Sequence, residues 1–221
     1  MLLAATNGRV YRITGANFGE ATSIAGNGDG MLPQAGIGRT RIAISQTDPN
    51  SAFALYATPG GLFHGLHYSG NASVAGSWSE CWPGGIETAT PLERAQGIYD
   101  LALGIPAGQP DLAYVGGISL WRSGPNQQAE QAAAAMDIPG FPFGVHADVQ
   151  DIVVAPSGTM YVTTDGGIYK SDDGGYSYTE CNHNYNVTQF YGIAHSAGPA
   201  VMGGTQDNGT LFIPTGNYFL S

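Results

Sequence analysis

Two carboxylates stand at matching places in the chain. Asp100 opens the apolar run Asp100-Leu101-Ala102-Leu103, and Asp151 opens Asp151-Ile152-Val153-Val154. Carboxylates paired across neighbouring strands are what glycoside hydrolysis needs, one as general acid and one as base or nucleophile, ~5–5.5 Å apart for retention or ~6.5–9.5 Å for inversion. The same residues have a plainer use, because an Asp at the start of a strand accepts hydrogen bonds from nearby backbone amides. His146, Asp148 and Gln150 approach Asp151 at alternate positions and so share one strand face. Arg41 holds in Arg41-Ile42-Ala43-Ile44 the place that the two carboxylates hold in their runs. His146, Asp148, Gln150 and Arg41 therefore form a candidate binding set. The i, i+2 spacing of His146 and Asp148 also suits a metal, but no third and fourth ligand accompanies them, and no metal or other cofactor is expected. Asp29, in Asn27-Gly28-Asp29-Gly30, reads as a turn residue rather than a calcium ligand, since that ion demands many oxygens. No G-x-S-x-G elbow is present to support a serine nucleophile.

These residues need a scaffold, and the chain repeats one. Gly166-Gly167-Ile168-Tyr169-Lys170-Ser171 is matched by Gly116-Gly117-Ile118-Ser119-Leu120-Trp121-Arg122-Ser123, and in its core by Gly60-Gly61-Leu62-Phe63-His64 and Gly8-Arg9-Val10-Tyr11-Arg12. The aromatic anchors Tyr11, Phe63, Trp121 and Tyr169 lie 52, 58 and 48 residues apart. Ahead of the last three hairpins runs an apolar strand, a turn such as Asp48-Pro49 or Ser157-Gly158, and a second strand. Each unit thus reads as four antiparallel strands joined by tight turns. One such sheet is too small to bury its faces and has to stack on its neighbours, which is the logic of a β-propeller blade. The expected fold is all-β, a propeller segment with blades at about 1–24 (partial), 39–82, 95–136, 145–181 and 187–221 (partial). Gln127 to Met136 consists of strong helix formers, so a short helix or coil is expected there in place of a strand turn.

The third turn of the last full unit is distinctive. Ser171, Asp173, Gly175, Ser177 and Tyr178 alternate as an Asp-box does, with the carboxylate placed to accept turn amides and the glycine free to take a positive φ. On these residues and the repeated hairpins the chain resembles the Asp-box, or bacterial neuraminidase repeat, propeller superfamily. That superfamily includes sialidases, sortilin-type ectodomains, photosystem II assembly propellers and xyloglucan hydrolases. Tyr99-Asp100-Leu101-Ala102 and Gly203-Gly204-Thr205-Gln206-Asp207-Asn208-Gly209-Thr210 are similar to segments of large secreted bacterial repeat proteins. The resemblance implies that the box is a structural turn at the rim, remote from chemistry. Sialidase activity would require three arginines around the substrate carboxylate and a Tyr nucleophile, whereas Arg9, Arg12, Arg39, Arg41, Arg94 and Arg122 are the only arginines and several lie on hairpins.

Composition narrows the partners. Seven Lys and Arg against 17 Asp and Glu give a formal charge of −10, with no basic patch for nucleic acid or an anionic membrane. A glycan or a protein is the expected partner, with the rest of a longer chain or another copy covering the open propeller edges. No run approaches the ~20 apolar residues of a membrane span. The polar, lysine-poor surface suits a bacterial extracellular or cell-surface protein whose export signal lies outside this chain. Cys81 and Cys181 close equivalent strands two units apart and are expected to be unpaired. The leading expectation is a non-catalytic module for binding, adhesion or assembly. The alternative is a glycoside hydrolase of the xyloglucan-hydrolase type.

Overall fold

A computed structural model describes residues 2–6, 9–14, 19–84, 93–133, 144–183, 188–206 and 209–214. The described residues form five antiparallel sheets in chain order. The first holds β1 (Leu2–Thr6), β2 (Arg9–Thr14) and β3 (Glu20–Ser23). The second holds β4 (Arg39–Ile44), β5 (Ala52–Ala57), β6 (Phe63–Ser69) and β7 (Ser79–Pro83). A 3-10 helix (Glu93–Ile98) leads to the third sheet, of β8 (Ala102–Gly104), β9 (Ala113–Gly116), β10 (Leu120–Gly124) and β11 (Gln127–Ala133). The fourth contains β12 (Val149–Val154), β13 (Met160–Thr164), β14 (Gly167–Ser171) and β15 (Thr179–Glu180). The fifth contains β16 (Phe190–His195), β17 (Val201–Thr205) and β18 (Thr210–Ile213). Within each sheet the strands follow sequence order, so every connection is a hairpin. The anchors Tyr11, Phe63, Trp121 and Tyr169 fall on β2, β6, β10 and β14, next to the last strand of their sheets.

The sheets are propeller blades, the first four of them stacked face to face, and the sequence of β5 shows why. All six of its residues are buried. Phe53, Leu55 and Ala57 pack toward Leu101, Leu103, Val115 and Trp121 of the third blade. Ala52, Ala54 and Tyr56 pack toward Leu3 and Val10 of the first. The period of two that normally separates a wet from a dry face here separates two dry ones. β9 repeats the arrangement, with Ala113 and Val115 against the second blade and Tyr114 against the fourth. Each large side chain so buried contributes roughly 1.5–3 kcal/mol. The first strands β4, β8 and β12 lie side by side, and β1 lies against β4. Close approach there requires small residues. A Cβ on Gly116 would stand 2.4 Å from Cγ1 of Val149.

The helix or coil expected from Gln127 onward is instead a strand as far as Ala133, and residues 134–136 lie outside the described set. Cross-strand pairing overrides helix propensity here, because β11 closes the third blade against β10, with Trp121 opposite Gln131 and Arg122 opposite Glu130. Arg122 and Glu130 form a salt bridge, while Ala129 and Ala133 pack into different blade interfaces. Both cysteines are free. No described helix is long and apolar enough to cross a membrane.

Candidate binding site at the mouth of the inner strands

Three blades contribute to one polar cluster. From the second come Arg39 and Arg41, at the start of β4. The Nη1 group of Arg39 donates to the carbonyls of Ile98 (3.2 Å) and Tyr99 (2.9 Å), and Nε of Arg41 donates to that of Leu101 (2.7 Å). Both arginines therefore secure the segment that carries Asp100. From the fourth blade come His146, Asp148 and Gln150, which lead into β12, and Asp165, in the turn between β13 and β14. The Nε2 group of Gln150 donates to Oδ1 of Asp165 at 3.0 Å, and the Tyr99 hydroxyl donates to its Oδ2 at 2.9 Å. Nδ1 of His146 lies 3.1 Å from the carbonyl of Ala147, which fixes the tautomer with its proton on Nδ1. Asp148 has a left-handed backbone (φ 63°), which Asp tolerates better than most residues.

Asp100 sits at the centre, 0 % exposed, and neither carboxyl oxygen meets a well-aligned donor. Burial first, then the charge of Asp148, raise its pKa to about 8, with Asp165 adding to the effect. At neutral pH Asp100 is thus held as a neutral acid beside two other carboxyl groups. It can store a proton, but it offers no surface to a substrate.

Asp151 lies elsewhere. It is exposed on β12, and its Oδ1 accepts the amide of Ile152 at 3.0 Å. It lines a cavity of about 210 Å³ between β4, β8 and β12, whose other walls include Ile44, Gln46, Leu103 and Ile152. Gln46 closes one end by donating to the carbonyl of Val154 at 2.6 Å. Asp100 is not part of that lining. The strand register shifts between Val149 and Asp151, leaving Gln150 as an extra residue, which changes the course of β12 just before the second carboxylate. The structure therefore brings Asp100 together with Asp148 and Asp165, with Gln150 bonded to Asp165, and holds Arg41 against the same segment, while Asp151 faces the cavity. Tyr99, Arg39 and Asp165 belong to the cluster but escape a sequence reading. The only available signal for Asp165 is its position ahead of the Gly166-Gly167 turn.

The acidic turn after β14 is saturated internally. Oδ1 of Asp173 accepts from the Ser171 hydroxyl (2.7 Å) and from the amides of Tyr176 and Ser177 (3.0 Å each), and its Oδ2 accepts from the Ser177 hydroxyl (2.6 Å). The Ser177 hydroxyl foremost holds the Asp173 carboxyl down to about 2. Gly175 takes φ 91°, and its amide donates to the Ser171 hydroxyl at 2.7 Å. The turn is clamped to the third blade, because the Tyr114 hydroxyl donates to the Gly174 carbonyl and Arg122 lies 4.8 Å above the Tyr176 ring. The Tyr178 ring packs against the interface between the third and fourth blades. Both carboxyl oxygens of Asp173 are engaged within the turn, which fastens the third blade to the fourth.

The fold is that of a β-propeller segment, with a polar cluster near the starts of its inner strands. Among solved structures, the chain is similar to an ancestral GH74 enzyme, with 16% identity and a TM-score of 0.44 over 92% of this chain and 27% of that one. It is also similar to YCF48 from Cyanidioschyzon merolae, with 15% identity and a TM-score of 0.34 over 73% of this chain and 48% of that one. The chain thus spans about a quarter and about half of the lengths of these two proteins. No protein-family model and no curated protein matches the sequence.

Proposed function

We propose that this chain is a non-catalytic β-propeller module that binds a glycan or protein partner, in adhesion or assembly, within a large exported bacterial protein at or beyond the cell surface. The observation that carries this reading is the sealing of Asp100, since the carboxyl with the proton to give is 0 % exposed. The cavity beside Asp151, about 210 Å³, is smaller than the roughly 300–1,000 Å³ of ordinary small-molecule pockets. Arg41, His146, Asp148 and Gln150 remain partly exposed and supply the contacts. The hydrogen bonds around Asp173 support membership of the Asp-box superfamily, in which this turn is structural. The rest of a longer chain or another copy covers the fifth sheet, where Tyr191, Ile193 and Phe212 are 75%, 66% and 61% exposed.

A second reading, a glycoside hydrolase using Asp100 and Asp151, draws support from the raised pKa of Asp100, about 8, which keeps the proton a general acid must give. The test exposes the full chain to xyloglucan and β-glucan oligosaccharides and measures both binding and product release. The module reading expects no hydrolysis, together with binding to a glycan panel that weakens in Gln150→Ala and His146→Ala. Hydrolysis that disappears in Asp151→Asn, with unchanged thermal unfolding, overturns it.

A further inference from the structure

A second polar cluster lies in the interface between the first and second blades, away from the one around Asp100. β6 carries His64 and His67, a spacing that puts side chains on opposite faces of a regular strand. The pairing of β5 with β6 slips here, because Tyr56 faces Gly65 while Ala57 faces Phe63, leaving His64 as the extra residue. As a result both imidazoles pack around one ring. Tyr56 lies 6.4 Å from His64 and 5.5 Å from His67 between ring centroids, edge-on to each. Thr40 stands directly across from Tyr56 on β4.

The polar atoms gathered here are unsatisfied. The Tyr56 hydroxyl, the Thr40 hydroxyl and Nδ1 of both His64 and His67 are buried with no hydrogen-bond partner. Tyr56 is 0 % exposed and His67 9 %. Leaving one such group unmatched costs about 1–3 kcal/mol. Four of them on three paired strands form an expensive arrangement unless something fills it. The donor set discriminates among ligands: two imidazoles and a phenol suit a late first-row cation and offer little to calcium or magnesium, which take carboxylate and carbonyl oxygens. No three described His, Cys, Asp or Glu side chains are gathered as a metal group, so the phenol has to serve as the third donor.

We propose that His64, His67 and Tyr56 form a binding site for Zn²⁺ or Cu²⁺, with the Thr40 hydroxyl beside it, which ties the second and third strands of the second blade together. Binding through the phenol releases its proton to solvent, and both imidazoles coordinate through Nδ1.

The test titrates Zn²⁺ and Cu²⁺ separately into the chelator-stripped full chain, with calorimetry, thermal unfolding and, for Cu²⁺, visible absorption as readouts. One equivalent is expected to bind, to raise the unfolding temperature, and with Cu²⁺ to give a phenolate-to-metal absorption band. His64 is only half-buried, so His64→Gln removes one imidazole without emptying a fully buried position. It should weaken binding by more than the about 10–100-fold that loss of an outer-shell partner costs. Tyr56→Phe should abolish the band. His195→Gln, at an exposed site in the fifth sheet, should bind as the parent does. Absence of binding in the parent, undiminished binding in His64→Gln, or loss of binding in His195→Gln would each overturn the assignment.

Discussion

Replacing Asp100 by Asn is the sharpest probe of the polar cluster. The carboxyl has its pKa raised from 3.8 to about 8, chiefly by burial. Between those values the unfolded chain has lost a proton that the folded protein retains, so stability falls as pH rises from about 4 to about 8 and the group adds no further dependence above that. Each unit is worth about 1.36 kcal/mol, and an allowance of half for water penetration leaves about 2–3 kcal/mol at the plateau. Asn has nearly the same shape, cannot ionise, and can donate toward the two neighbouring carboxylates. The substitution is therefore expected to be neutral near pH 4 and stabilising at pH 8.5. For a chain of this size that is a gain of roughly 4–12 °C in unfolding temperature. The assay is thermal unfolding of parent and variant across pH 4–9, read as the difference between the two. A difference that does not change with pH, or that turns destabilising as pH rises, would refute the claim that burial holds Asp100 neutral.

Four further outcomes follow from the packing. Gly175→Ala forces an L residue to φ 91° and drives its Cβ to 2.3 Å from the Tyr114 hydroxyl, so it should cost about 1–3 kcal/mol in urea unfolding. Leu55→Ala, fully buried between the second and third blades, should cost about 2–5 kcal/mol in the same assay. Burial pushes the Cys81 thiol up to about 12, so iodoacetamide at pH 7.5 should label it in urea and hardly at all in the native protein. Mass spectrometry without reductant should find both cysteines as thiols.

Much of the blade pattern was legible because it rests on local rules. Glycine turns and period-two alternation place β5, β9 and β13, and the aromatic anchors mark the strand after each GG turn. Three features were not legible, each for a physical reason. β11 is built from helix formers, and only its pairing with β10 makes it a strand. The partner of Asp100 depends on one extra residue at Gln150, and a bulge leaves no dependable trace in a single sequence. The same is true of His64 and His67, whose spacing argues against a shared face until the slip in β6 is known.

The two-sided burial of β5 and β9 has a consequence for how the molecule comes apart. A strand whose odd and even residues belong to different interfaces cannot lose one neighbour without weakening its hold on the other, so cooperativity runs sideways from sheet to sheet more than along the chain. The first four sheets, joined through those two strands, then open together. β16, exposed along its whole length, has no such coupling, and its amides should trade hydrogen for deuterium well before those of β5, which makes the stack a graded structure with its most durable part in the middle.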